Sequence, residues 1–525
     1  MANGMPHIGR VFGNRVMEIR FRTPCAEPLQ VGEMLVVEET GSDSGDRYLI
    51  RTMDIEHGAD AESPDWMQRE AGGMLLRDAS DEDVETAPLK DRLYKIGVST
   101  PLGCISGDKF RKAKSIPMHF SVVRWTSMKD YGFLRDYLGD IEVGRLRSGD
   151  RVLDLPVGFS GRSMPYHVGI FATTGMGKSN LMKNLALSCM RLRRYGFLVL
   201  DPHGEYYDGG ETNKKGLKHS PYRDALEVFS SRKLDGPHNP LKISSAEIDI
   251  DDLANLYAFS GAQLECLEAA RYRYGAKWLT DLNEKDTDSI FKDLHERFHE
   301  GTINVIKRRL ESIFRFDLVT TDQKFSITNQ VISSLHAGKV VLIDTSNMFE
   351  QEELLVSTVL ARAVFERNKA IYSDKERFDL LPPLLIALEE AQRVLSREKM
   401  ATESKGSVFS QIAREGRKFK VGLCAVSQQP KLIDEEVISQ FNTLFILGLA
   451  DKRDRDILRN SAKQDISMLD NEIQMLMPGE ALIASPFTPF AVPVKIHLYE
   501  EYVRRETEAA TTKGSKAATV DKKFF

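Results

Sequence analysis

Apolar positions along the chain follow two different rhythms. Near the start, Met17, Ile19 and Phe21 alternate with Glu18 and Arg20, the period of a half-buried strand. Similar short strands are expected at Met34–Val37, Arg47–Arg51, Met118–Val123 and Ile141–Val143, with turn residues such as Gly41-Ser42-Asp43-Ser44-Gly45 between them. Strands at this spacing suggest a small all-β barrel over residues 1–155. An acidic segment from Asp54 to Glu85 interrupts it and reads as a solvated loop with a helical piece.

Beyond that point the alternation gives way to continuous apolar runs. Such runs are expected of parallel strands buried on both faces. They occur at His167–Phe171, Gly196–Leu200, Lys339–Ile343, Leu384–Leu388, Val421–Val426, Thr443–Leu447, Ala481–Ser485 and Val492–His497. Helical patterns lie between several of them, including Glu352–Lys369, so residues 156–500 read as an α/β core. Residues 239–333 are instead helical throughout. Leu264, Leu267, Ala270, Tyr274 and Trp278 make one stripe; Ile303, Ile306, Leu310 and Ile313 make another. This segment reads as a helical insertion in the core. Its Lys307-Arg308-Arg309 cluster suits a solvated helix face better than a nucleic-acid contact. The tail from about Arg504, rich in Ala, Thr and Lys, reads as flexible over residues 501–525.

Candidate chemistry sits at the ends of the apolar runs. The first run leads into Ala172-Thr173-Thr174-Gly175-Met176-Gly177-Lys178-Ser179-Asn180 and then a helix. Strand, glycine loop, Lys-Ser and helix is the phosphate-binding P-loop in its required context. Backbone N–H groups of the loop, with the helix N-terminus, attract an anion; Lys178 would reach the outer phosphates and Ser179 would ligate Mg²⁺. Ala172 stands where the pattern has its first glycine. The run Leu384–Leu388 ends in Glu389-Glu390, a Walker B candidate in which Glu389 would hold Mg²⁺ and Glu390 would orient the attacking water. The neighbouring run ends in Ser427-Gln428-Gln429, and either glutamine could sense the γ-phosphate. The basic stretch Arg414-Glu415-Gly416-Arg417-Lys418 could offer an arginine to a neighbouring subunit, or could simply answer a helix dipole. Asp201 and Glu205, after the second run, fall at the ligand edge of such a sheet.

Composition narrows the field. Among 525 residues, 42% are hydrophobic and 28% charged, with a net charge of −5. That excludes a globally basic coat for nucleic acid while leaving room for a local basic channel. Five scattered cysteines without a CxxC pair argue for reduced thiols, and against a zinc site or a disulfide framework. The first residues, MANGMPHIGR, hold no apolar signal core, and Leu380–Leu388 is too short to span a bilayer and carries Pro382 and Pro383. A cytoplasmic protein without a membrane anchor is expected.

Several of these segments, in this order, resemble the HerA family of hexameric DNA-translocating ATPases, within the wider FtsK–HerA group. They are Ile8-Gly9-Arg10-Val11, HVGIFATTGMGKSN, DPHGEY from Asp201, LLIALEEAQ, AREGRKF followed by VGLCAVSQQP, and VISQFNTLFILGL. The resemblance implies an N-terminal barrel of the HerA/ATP-synthase type before a RecA-like core, and a homohexamer threading double-stranded DNA, with ATP between subunits. It implies Glu390 as the catalytic carboxylate, Arg417 as the arginine acting in trans with Arg414 in reserve, and Asp201 and Glu205 beside the nucleotide. It also implies a separate nuclease or NADase-type effector, docked on the barrel, in end processing or antiphage defence. Glu389 stands where Asp is common, Gln392 where the family often has His, and Met176 where Ser is frequent. The main rival is a nucleotide-regulated ring that scaffolds effector subunits; a membrane secretion or conjugation ATPase is a third, disfavoured by the missing spans.

Overall fold

The computed structural model describes residues 6–13, 15–39, 46–59, 93–107, 109–210, 214–397 and 407–521. The chain packs as two compact units. One comprises residues 1–138, 144–157 and 464–495; the other comprises 139–143, 158–463 and 496–525.

The first unit contains a closed antiparallel barrel. Its strands are β1 (His7–Val11), β2 (Ile19–Pro24), β3 (Met34–Glu38), β4 (Arg47–Ala59), β5 (Leu93–Ser106), a short β6 (Lys109–Arg111) and β7 (Val122–Trp125). The order is β2-β1-β7-β3-β4-β5, and pairing of β2 with β5 closes it, with β6 at the side of β5. Closure places Phe21 opposite Gly97, where a Cβ would lie 2.3 Å from the Phe21 ring; the glycine leaves room for the ring. Ile8, Val11, Ile19, Phe21, Leu35, Val37, Ile50 and Val123 fill the interior.

Several expectations shift here. Strand β4 runs on through Asp54 to Ala59, because β5 pairs with it along that length. The rest of the acidic segment and the 41–45 turn lie outside the described residues. The strand expected from Met118 is β7, which begins at Val122; Phe120 before it turns at φ +63°. Met17 is exposed beside the turn, so the alternation belongs to Ile19 and Phe21 alone. Residues 464–495 pack in this unit through a buried cluster. Arg51 donates to Glu472 at 2.5 Å and to the Ala491 carbonyl at 2.9 Å, and Arg147 donates to Glu472 at 2.8 Å.

The second unit is built on parallel strands. After β8 (Ile141–Ser148) and β9 (Arg151–Phe159) come β10 (Val168–Phe171), β11 (Gly196–Asp201), β12 (Leu226–Ser230) and the short β13 (Asn239–Pro240), β14 (Ile243–Ser244) and β15 (Val319–Thr320). Then follow β16 (Val340–Asp344), β17 (Leu384–Leu388), β18 (Val421–Ser427) and β19 (Thr443–Ile446). The parallel order is β13-β12-β16-β11-β17-β18-β10-β19. Strands β10, β11, β16, β17 and β18 are buried along their whole lengths, which explains their unbroken apolar sequences. In the first unit, the later strands β20 (Glu480–Ala484) and β21 (Val492–Ile496) form an antiparallel pair.

Helix α1 (Lys178–Leu192) follows β10. The insertion supplies α2 (Ile250–Leu256), α3 (Gly261–Tyr274), α4 (Trp278–Glu284), α5 (Thr287–Asp293) and α6 (Glu300–Phe314), then α7 (Thr328–His336) returns the chain to β16. Ile303, Ile306, Leu310 and Ile313 are all fully buried, as their spacing requires. The basic cluster on α6 is largely occupied. Lys307 donates to the carbonyls of Leu282 and Asn283 at the end of α4, and Arg309 lies 4.7 Å over the Phe259 ring. Helix α8 (Glu350–Ile371) leads towards β17, and α9 (Val408–Glu415) towards β18.

The tail is the clearest departure from the sequence reading. Tyr499–Asp521 is a helix, α10, with Tyr502, Val503 and Glu506 buried. Tyr499, Tyr502, Val503 and Glu506 share one face at helical spacing. That stripe outweighs the low-complexity composition downstream of it.

Candidate functional site

In a parallel sheet, the C-terminal strand ends collect on one edge. Here that edge carries the loop after β10, Asp201, Glu389-Glu390 and Gln428. Strand β18 lies between β10 and β17, so its end separates the glycine loop from the paired glutamates.

The loop is shaped by its glycines. Gly175 (φ +83°) and Gly177 (φ +103°) adopt left-handed backbone, and the space around Gly175 is open. Ala172, in the first glycine position, is fully buried, and its N–H donates to the Ser427 carbonyl at 3.3 Å; its methyl is part of the core. Lys178 opens α1 and reaches back to the Ala172 carbonyl at 3.1 Å. Burial lowers the Lys178 pKa, while the charges of Glu389, Glu390 and Glu205 oppose that shift. One ammonium therefore sits among three carboxylates, where a polyphosphate and a divalent cation would find both of their partners.

The two glutamates are held differently. Glu389 accepts the Tyr206 hydroxyl. Its pKa rises to about 7, chiefly through burial, with Asp201 and Glu390 adding to the rise and Tyr206 and Lys178 opposing it. Glu390 turns in left-handed backbone at φ +47°. Its two oxygens accept from Gln392 Nε2 at 2.6 Å and Gln428 Nε2 at 3.1 Å. Gln428 in turn accepts the Thr174 hydroxyl from the glycine loop. Of the two glutamines after β18, Gln428 faces the site, and Gln429 is exposed.

Two expected contacts serve the scaffold instead. Asp201 is buried and accepts N–H groups of His203, Gly204, Glu205 and Tyr206 at 2.8–3.3 Å. It builds the Asp-Pro-His-Gly-Glu-Tyr turn that delivers Tyr206 to Glu389, and burial lifts its pKa to about 6. The Asn180 side chain donates to the His497 carbonyl at 2.8 Å and accepts the Tyr499 N–H at 2.9 Å. Both its polar atoms hold the segment leading into α10. Met176 is partly buried in the loop, and Glu205 contributes its charge to the environment of Lys178.

Arg414 and Arg417 lie elsewhere. Both precede β18, whose seven residues separate them from Ser427 by roughly 20 Å at the usual rise of a strand. Arg417 is exposed and stacks 4.3 Å over the Tyr166 ring, ahead of β10; Arg414 is exposed and 3.8 Å from Glu436. Neither can reach the glycine loop of its own chain.

The site fits a nucleotide with its metal. The open glycine loop, the partly buried Lys178, Ser179 on the first turn of α1 and the carboxylates are the donor set that such a ligand requires. Among the described residues no group of three or more His, Cys, Asp and Glu could hold a metal alone. Mg²⁺ would thus depend on Ser179, Glu389 and the phosphates together.

Residues 141–364 match the family model described as the central domain of helicase HerA. This stretch is similar to a HerA central domain. Its site geometry is that of a nucleotide-binding P-loop, the kind of site the motifs lead one to expect. Relatives agree across more of the length than the HerA domain alone. A probable helicase of Methanocaldococcus jannaschii is 28% identical over 353 residues, covering 64% of this chain and 63% of its own. The DNA double-strand break repair helicase HerA of Sulfurisphaera tokodaii is 26% identical over 453 residues, covering 82% and 84%. Among solved structures, a bacterial conjugative coupling protein, TrwB, matches at 14% identity and a TM-score of 0.45, covering 65% of this chain and 88% of its own. No described helix of this HerA-like chain is long and apolar enough to cross a membrane.

Neither Gln392 nor Tyr206 figures among the residues expected at the site. Tyr206 carried a signal, being the last residue of the DPHGEY segment. Gln392 stood out only as an unusual residue two positions after Glu390.

Proposed function

We propose that this chain is an ATP-driven motor on double-stranded DNA, assembled as a homohexamer, with a separate nuclease or NADase-type effector engaged through the barrel in end processing or antiphage defence. The observation that supports assembly most directly is the separation of Arg417 from Lys178 across the sheet. An arginine placed there is useful to a nucleotide only on another copy of the chain. Relatives named as double-strand break repair helicases support duplex DNA as the track.

When bound, ATP supplies the phosphoryl group to be transferred and Mg²⁺ neutralises its charge. Lys178 and the N–H groups of the loop bind the phosphates. Ser179 and Glu389 hold the metal side. Glu390 accepts a hydrogen bond from the attacking water and aligns it. Gln428 links that carboxylate to Thr174, so the phosphate loop and the water-orienting group share one hydrogen-bonded connection. Arg417 of a neighbouring copy stabilises charge on the transferring group. Basic loops facing the DNA would grip phosphates without reading bases.

The test is the ATPase rate of the purified protein with and without linear duplex DNA, beside Glu390→Gln, with particle mass read on the same samples. A six-chain particle whose hydrolysis rises with DNA, and is lost in Glu390→Gln, supports the motor. A ring whose hydrolysis ignores DNA supports instead a nucleotide-regulated scaffold for effector subunits.

A further inference from the structure

Glu390 adopts a left-handed backbone conformation that side chains of L-residues disfavour. Its turn is held by the Ala391 N–H on the Val426 carbonyl at 3.0 Å and by the Arg393 N–H on the Glu390 carbonyl at 2.9 Å. The side chain is gripped as firmly. Ser427 Oγ accepts the Gln429 N–H at 3.0 Å, so its own hydrogen is free to donate. It donates to Gln392 Oε1 at 2.7 Å. On the other side of the amide, the Glu390 carboxylate oxygen is an acceptor and calls for the NH₂ end. The Gln392 NH₂ must then face Glu390 Oε2, at 2.6 Å.

We propose that Gln392 is the positioning residue of the hydrolytic site: its amide, braced by Ser427, holds the Glu390 side chain in the direction from which it aligns water. This rests on the reading of Glu390 as the water-orienting carboxylate. Gln428 holds the other oxygen, but its own partner, Thr174, is exposed on the phosphate loop and lies where a ligand contacts the loop. Ser427 is fully buried in β18, so the Gln392 side of the clamp is the fixed one. Phosphate binding at the loop can alter the Gln428 contact while Gln392 keeps Glu390 in register.

The experiment uses the full chain and measures kcat, KM and the dissociation constant of a slowly hydrolysed ATP analogue. Gln392→Met keeps the side-chain volume and removes both hydrogen bonds. It is expected to lower kcat by about 10- to 100-fold, the scale of a misdirected catalytic group. KM and analogue affinity should stay within about twofold, because ground-state binding does not use this amide. Ser427→Ala should lower kcat less. The double variant should be no slower than Gln392→Met, because both changes act through one chain of bonds. Gln392→His, which keeps a donor, should recover part of the rate. Unchanged kcat in Gln392→Met, or a loss of analogue affinity equal to the loss of rate, overturns the proposal. Glu390→Gln measured alongside separates the two levels. If it hydrolyses normally, the reading of Glu390 itself fails. If it is inactive while Gln392→Met is unaffected, only the role of Gln392 fails.

Discussion

At the scale of single residues, the site is an arrangement of charges at uneven cost. Glu389 has a folded pKa of about 7, above its ordinary value of 4.5, mainly because burial disfavours its charge. The native state therefore binds more protons than the unfolded chain between those values. Stability from this group is full below about pH 4.5 and is lost as pH rises through about 7. Glu389→Gln keeps an acceptor for Tyr206 and has no charge to desolvate. Without nucleotide or metal, it should be more stable than the parent at pH 8, by on the order of 2 kcal/mol, and the difference should shrink towards pH 5. Thermal unfolding at the two pH values checks this; equal midpoints throughout would place Glu389 in a better-solvated site. Lys178→Ala should abolish nucleotide binding as read by fluorescence of a labelled analogue, since it removes the ammonium that sits among Glu389, Glu390 and Glu205.

Elements decide which of these residues meet. The glycine loop and the Glu-Glu pair were legible because each joins a short motif to an unbroken apolar run, and both features are local in sequence. The pairing of Gln392 with Ser427, 35 positions apart, was not legible. It depends on β17 and β18 being neighbours in a particular register, which periodicity does not reveal. Asp201 was placed on the right edge, but its use in building a turn follows from backbone N–H groups that a sequence does not display. The same level settles the arginine. Arg417 sits at the start of β18 and Gln428 just past its end, so the strand itself forbids contact between Arg417 and its own glycine loop. Arg417→Ala should assemble with normal particle mass and hydrolyse at least about 10-fold more slowly. Mixing it with Lys178→Ala chains should restore part of the activity, because each would supply what the other lacks. No recovery in mixtures, with normal assembly, would place the arginine's role within its own chain.

For the whole molecule, the order of residues and the order of packing diverge. Residues 464–495 follow the last core helices in sequence yet belong with the barrel unit. Their apolar strands look like any others in the core, and contacts such as Glu472 between Arg51 and Arg147 reveal the association. All three side chains are nearly inaccessible to solvent. Glu472→Ala leaves two buried guanidinium groups without their shared carboxylate, and should cost about 3–5 kcal/mol, seen as a lowered denaturation midpoint for the unit. A variant of unchanged stability would show that water replaces the carboxylate. The C-terminal helix was misread for a related reason: composition is an average, and four well-placed side chains carry the packing.

The attachment of that helix has a mechanical side. The His497 carbonyl accepts from both Asn180 and Asn184 on α1, at 2.8 and 2.6 Å, just before α10 begins. Helix α1 starts at Lys178, the lysine of the glycine loop. Helix α10 has 23 residues and is thus about 35 Å long. Any rotation of α1 would be passed through these two bonds into the start of α10, where a pair of spectroscopic labels could follow it.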